Sequence, residues 1–289
     1  SKEKAKEYFA EGAKFPMTYY GQLSFNEINP GENFELIDQS NFDKEYEKEF
    51  KKNRLINHVI LLKELDATKY AKDILKHLAA LNVEKGSEVL AAKLSTDVGR
   101  YDFAIQISKQ ASYEKRFYNK YNYPIIATPK QINNKTMPNS EVILAIIRQE
   151  SEFDTKANSW AGARGMMQLM KYTAKIVAKQ AKLPYSISKL TRDPEYNIKL
   201  GSYYFNSLIE DYNGVYPFAI AAYNAGPNRV KTWRRVNGDP SKGKLSYINW
   251  IELIRFKETR NYVQRVLENI NVYKYMLSKE PVTIDNFFN

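Results

Sequence analysis

A chain of 289 residues with 43% hydrophobic and 27% charged side chains is of ordinary globular composition and longer than one typical domain, so two domains are expected. The absence of cysteine excludes disulfides, thiolate metal sites and a cysteine nucleophile, and no apolar run approaches the roughly 18–20 residues of a membrane-spanning helix. The net charge of +11 is uneven, with 20 Lys and Arg against 19 Asp and Glu in residues 1–120 (+1), which leaves +10 for residues 121–289; without a recognised motif, such an excess favours weak attraction to polyanions over specific nucleic-acid binding.

The opening SKEKAKEYFA is charged and amphipathic and lacks the apolar segment of a secretion leader, so any export signal is expected to have been removed or never to have been present. Up to about Tyr121, apolar residues recur at three and four positions, as in Leu75, Leu78 and Leu81, and predict helical hairpins. Breakers punctuate them: Gly12 with Pro16, Pro30 with Gly31, Gly86, and Gly99. The pattern predicts an α-solenoid of helix pairs in which Tyr8, Tyr19, Tyr20, Tyr46, Tyr70 and Phe103 pack between helices. His58 and His77, the only histidines, fit no metal-ligand spacing, so neither a metal site nor a Ser-His-Asp triad is expected.

From Tyr121 to Asn139 the periodicity lapses around Pro124, Pro129, Pro138 and the Asn133–Asn134 pair, which places a domain junction there. Asn139 or Ser140 can cap the next helix, SEVILAIIRQES. On it Ile143, Ile146, Ile147 and Glu150 share one stripe, so Glu150 projects from the buried face. Burial raises a carboxyl pKa and suits a group that must carry a proton near neutral pH. The same spacing also fits a structural glutamate satisfied by an arginine or by backbone amides. Glu141, in the first turn, and Glu152, about 200° around the helix, are expected to be solvated. Asp154 lies past the expected helix end, so a two-carboxylate glycosidase site is not favoured. Further on, AAYNAGPNRV is expected to end a helix at Tyr223, with Asn224 and Gly226 in the turn and Pro227 starting the next helix. KETRNYVQRVL predicts a helix with Tyr262, Val266 and Ile270 as its apolar stripe and Glu258 one turn ahead. No cofactor-binding loop is present, since GARGMM matches neither a phosphate nor a dinucleotide pattern.

Taken together, four segments in order resemble the catalytic domain of the soluble lytic transglycosylase family, which shares the goose-type lysozyme fold. AIIRQESEFD looks like its first motif and implies Glu150 as catalytic acid/base, followed by Ser151. GARGMMQLM resembles the second and implies Gln168 and Met170 in the saccharide cleft, with Ser159 in the connecting loop. AAYNAGPNRV resembles the third, giving Tyr223 and Asn224, and FKETRNYV the fourth, giving Glu258 and Tyr262. Lys171 and Arg255 stand where proline is common, and Asp154 where asparagine is frequent. The AKFPMTYYGQLSFNEI segment is similar to the α-superhelical part that precedes this domain in large members, although the helical array is shorter here, as in a short member or a truncated chain. The resemblance therefore implies a mainly α protein: an α-superhelical segment with linker over residues 1–124, then a lysozyme-like catalytic domain over 125–289. It implies peptidoglycan glycan strands as substrate, no cofactor and a periplasmic location. A hydrolytic muramidase of the same fold and a non-catalytic glycan-binding scaffold are the alternatives.

Overall fold

The computed structural model describes residues 2–32, 35–243 and 245–279, and among these it contains sixteen α-helices and one short β-hairpin. The fold is mainly α, as the periodicity required. The chain begins with the paired helices α1 (Lys2–Ala13) and α2 (Tyr19–Ile28); the Thr18 side chain caps α2 by accepting from the Gly21 amide. Helices α3 (Lys44–Phe50), α4 (Arg54–Glu64), α5 (Lys72–Ala80), α6 (Ser87–Asp97), α7 (Tyr101–Tyr113) and α8 (Asn119–Asn122) follow. Asp43 and Asn53 cap α3 and α4. Val59, Leu75, Leu78, Leu90 and Phe103 build the core of this stretch.

Several expectations change here. Leu81 is exposed because α5 stops at Ala80, one residue short of extending its stripe. Tyr19, Tyr46 and Phe103 are buried as expected, whereas Tyr8, Tyr20 and Tyr70 face solvent. The Asn133–Asn134 pair is the tip of a hairpin: both residues have positive φ, +48° and +63°, between β1 (Gln131–Ile132) and β2 (Lys135–Thr136). Two consecutive left-handed residues are what a type I′ turn demands, and asparagine tolerates them better than most side chains.

After the hairpin come α9 (Ser140–Ser151), α10 (Lys171–Gln180), α11 (Lys189–Arg192), α12 (Pro194–Asp211), α13 (Tyr216–Ala225), α14 (Pro227–Asn237), α15 (Tyr247–Glu252) and α16 (Lys257–Ser278). Prolines at the first turns of α12, α13 and α14 cost nothing, since those amides have no intrahelical partner. Helix α9 is buried on every side from Val142 to Arg148, beyond the single stripe read from the sequence.

Packing separates two compact units. One comprises residues 1–36, 127–150 and 155–289, and the other residues 37–126 and 151–154. The sequence-based division at 124/125 differs from this in assigning the first 36 residues to the superhelical part. Their place in the larger unit follows from polar contacts between α2 and α16: the Tyr19 amide donates to Glu268 Oε2 at 2.6 Å, Gln22 Nε2 donates to the Glu268 carbonyl at 3.2 Å, and Asn271 Nδ2 donates to Gln22 Oε1 at 3.2 Å. Tyr20 extends the seam, donating to Glu252 Oε1 at 2.9 Å and accepting from Gln264 Nε2 at 3.0 Å. In the smaller unit, residues 151–154 are anchored by a Lys109–Glu152 ion pair and by Phe153 against the Tyr101 ring, so Glu152 is paired and half-buried, not freely solvated.

Candidate active site

Glu150 sits in the last turn of α9, whose apolar residues fix its position: Ile143, Ile146 and Ile147 are fully buried, each stabilising the core by about 1.5–3 kcal/mol. The helix ends one residue later, and Glu152 and Phe153 both turn to positive φ, +51° and +68°. Glu150 is itself only partly buried, so its carboxyl is set in apolar surroundings yet remains reachable. Burial pushes the carboxyl up to about 7, a hydrogen bond from Tyr262 pulls against that rise, and the Glu258 charge adds to it. The carbonyl end of α9 acts in the same sense as burial, disfavouring a negative charge.

Helix α16 supplies the partner. Tyr262 lies on the stripe with Val266 and Ile270, all three buried, and its hydroxyl donates to Glu150 Oε1 at 2.5 Å. Burial and the neighbouring Glu150 hold the Tyr262 hydroxyl well above its ordinary range, so it stays a donor throughout neutral pH. Tyr262, expected among the substrate-binding residues, therefore has its hydroxyl committed to the glutamate. Glu258, one turn earlier, is exposed and close enough for its charge to act on Glu150.

Helix α13 contributes Tyr223, which donates to the Met167 carbonyl at 2.7 Å while its ring packs against Tyr204 and Phe205. Burial and the Glu150 charge raise its pKa too. The helix continues to Ala225, two residues beyond the expected end, because only Gly226, at φ +86°, breaks it. Asn224 is thus helical, and its Oδ1 accepts from Thr259 Oγ1 at 2.7 Å, tying α13 to α16 beside Glu258.

The loop between α9 and α10 carries the remaining candidates. It forms a small meander, with Arg164 bridged antiparallel to Asn158 on one side and to Leu169 on the other. Met166, Met167 and Leu169 are buried beneath it. Gln168 Nε2 donates to the Gly165 carbonyl at 2.8 Å and to the Ala157 carbonyl at 3.3 Å, so this amide holds the loop's own backbone. Gln168 also adopts φ +45°, a strained conformation of the kind that clusters at functional sites. Ser159 Oγ accepts from the Ala163 amide at 3.0 Å at the far turn, and Met170 lies exposed just before α10. The structure therefore brings Glu150, Tyr223, Glu258 and Tyr262 into electrostatic or hydrogen-bond contact. Gln168 and Asn224 brace this group, while Ser159 and Met170 sit further along the loop.

Asn197 of α12 was missing from the sequence reading. It accepts from the Met167 amide at 2.8 Å and donates to the Arg164 and Leu190 carbonyls at 2.9 and 3.0 Å. Gly165, at φ +72°, has no room for a side chain: a Cβ would lie 2.0 Å from the Leu190 carbonyl oxygen and 2.4 Å from Asn197 Nδ2. One turn along α12, a Cβ on Gly201 would lie 2.3 Å from Met167 Sδ. The available signal was an asparagine and a glycine four residues apart on the apolar face shared with Leu200, Phe205 and Leu208. Asp154 belongs to the smaller unit, where its charge acts on Arg100. The groups acting on the Glu150 carboxyl are Tyr262 and Glu258.

Glu150 of α9, Tyr223 of α13 and Glu258 and Tyr262 of α16 thus meet within one mainly helical unit. Residues 128–246 match the family model described as the Transglycosylase SLT domain. The chain is 37% identical over 169 residues to the soluble lytic murein transglycosylase of Escherichia coli K12, covering 58% of this chain and 25% of that protein. To the Salmonella typhimurium protein of the same description it is 37% identical over 138 residues, covering 47% of this chain and 21% of the other. Among solved structures it superposes on the 70 kDa soluble lytic transglycosylase Slt70 of Escherichia coli with a TM-score of 0.77 at 26% identity, covering 96% of this chain and 44% of that one. An inactive mutant of the lytic transglycosylase Slt from Pseudomonas aeruginosa gives 0.75 at 28% identity, with 96% and 44% covered. The chain thus spans about a quarter of the curated relatives and under half of the solved ones.

Proposed function

We propose that this chain is a peptidoglycan lytic transglycosylase acting in the periplasm on the β-1,4 bond between MurNAc and GlcNAc. The observation that carries the reading is the Glu150 carboxyl, raised to about 7 by burial and held by Tyr262. A group with that pKa is populated in both protonation states near neutrality, as one residue serving first as acid and then as base requires. Protonated Glu150 gives its proton to the glycosidic oxygen as the bond to C1 breaks, and the substrate's 2-acetamido oxygen stabilises the cation. The ionised carboxylate then takes the proton of the MurNAc 6-hydroxyl, whose oxygen closes on C1. The 1,6-anhydro ring forms without water, and Glu150 ends protonated as it began. A hydroxyl held within the bound sugar has a high effective concentration, which favours this route over capture of water.

Glu258 and the Tyr223 hydroxyl lie beside Glu150, which suits them to orienting sugar or acetamido groups. Gln168 and Asn224 shape the cleft through the backbone and helix contacts they make. Ser159 and Met170 extend the binding surface along the loop. The net positive charge complements anionic stem peptides. A hydrolytic muramidase is the second reading, because the exposed Glu258 is a carboxylate near enough to act on Glu150 and could activate water. Mass spectrometry of muropeptides released from purified sacculi in labelled water decides between them. Ends in 1,6-anhydroMurNAc, one water lighter and without solvent oxygen, support the proposal; reducing ends carrying the label overturn it.

A further inference from the structure

We propose that Trp160 is the aromatic platform of a second saccharide subsite, displaced along the loop from Glu150, that stacks against a distal sugar of the same glycan strand. This rests on the reading of the site as a glycan cleft. The chain has three tryptophans. Trp233 and Trp250 are 4% and 0% exposed, whereas Trp160 is 100% exposed. An isolated exposed apolar residue would need no explanation, but Trp160 is presented by a built turn. The Gly162 amide donates to the Ser159 carbonyl at 3.0 Å, the Ser159 amide donates to the Ala163 carbonyl at 3.0 Å, and Ser159 Oγ accepts from the Ala163 amide at 3.0 Å. The base of the turn is fixed by the Gly165 amide on the Ala157 carbonyl at 2.8 Å and by the Gln168 side chain on the same carbonyl. Ser159 thus serves the loop by shaping the turn that holds Trp160 out.

The direction follows from the meander. Its Gly165–Gln168 turn is the end at which Tyr223 binds the Met167 carbonyl, next to Glu150. With Arg164 paired antiparallel to both Asn158 and Leu169, the Ser159–Gly162 turn lies at the opposite end. Three extended residues separate the two turns, on the order of 10 Å. Leaving Leu169, the chain passes through Met170 into α10, and Met170 and Tyr172 are 45% and 76% exposed. A large apolar ring with an N–H at its edge suits the face of a pyranose, which presents C–H groups flanked by hydroxyls, and a tryptophan side chain loses little entropy on contact. The occupant is a β-1,4-linked amino-sugar strand long enough to reach past the Glu150 end of the cleft.

The experiment uses Glu150→Gln, which keeps the strand intact, and exploits the burial of the other two tryptophans: emission that is red-shifted and quenched by acrylamide comes from Trp160. Defined GlcNAc–MurNAc oligosaccharides of four and eight sugars are titrated, with affinity measured in parallel by calorimetry. The eight-sugar strand is expected to shift the emission to the blue, protect it from acrylamide and bind about tenfold more tightly than the four-sugar strand. That gain should disappear when Trp160→Ala is added. A gain that persists in Trp160→Ala, or an emission that the long strand leaves unchanged, overturns the subsite while leaving the glycan reading intact. Failure of both strands to bind to a protein with an unchanged melting curve overturns the glycan reading and the subsite together.

Discussion

Replacing Glu150 by glutamine probes the chemistry and the electrostatics of the site in one variant. The amide keeps the side-chain shape, and its Oε1 still accepts from the Tyr262 hydroxyl, but it has no acidic proton to give. Cleavage of sacculi, followed by turbidity, should fall by at least the hundred- to ten-thousandfold that a general acid/base contributes. Stability should move the other way, with a defined pH dependence. Burial pushes the pKa of the Glu150 carboxyl up to about 7 from its ordinary value of 4.5, so the folded state holds its proton more tightly than the unfolded chain does. The wild type therefore bears no penalty below pH 4.5, loses stability as pH rises from 4.5 through about 7, and above 7 carries the full cost of about 3 kcal/mol. Glutamine carries none of it. At roughly 2–4 °C per kcal/mol for a chain of this size, the variant should melt close to the wild type at pH 4 and up to about 10 °C higher at pH 8. A stability difference that does not change with pH would refute the assignment of a buried, proton-holding carboxyl. Retained cleavage in a folded variant would move the catalytic role elsewhere, with Glu258 the next residue to replace.

Tyr262→Phe removes the donor that favours the ionised form of Glu150, so the carboxyl pKa should rise further; the alkaline limb of the pH–rate profile, where Glu150 loses the proton it must donate, should move to higher pH, measured on sacculi between pH 5 and 9. Asn197→Ala would leave the Met167 amide and the Arg164 and Leu190 carbonyls without this partner, and should cost about 2–4 kcal/mol in urea denaturation together with most of the activity. Gly165→Ala should be at least as damaging, since the new Cβ meets backbone and φ is positive; soluble, fully active protein would contradict the loop geometry. Deleting residues 1–36 strips Glu268 of the Tyr19 amide and exposes one side of α16, so hydrogen exchange should speed up along 257–278 and activity should fall even on short glycans.

Much of the site was legible in the sequence because it depends on local rules. The 3.6-residue repeat put Glu150 on the buried stripe of its helix and Tyr262 on the stripe of another, and the four ordered segments implied which helices meet. What the sequence left open was what each side chain does once there. Tyr262 holds the glutamate, Gln168 holds its own loop, and Asn224 holds Thr259; these partners lie as many as 112 residues apart, and nothing in a local pattern encodes them. The first 36 residues illustrate the same limit. Their helical periodicity is identical in kind to that of residues 44–113, so by sequence they continue one array. Yet α2 finds its hydrogen-bond partners on α16, some 250 residues later, because Glu268 is buried there and its carboxylate accepts from the Tyr19 amide. By itself the sequence determined the helices, their buried faces and the place of the Glu150 carboxyl on one of them. The proton affinity of that carboxyl was decided only by the tertiary structure, through the desolvation and the tyrosine and glutamate neighbours that packing brings to it.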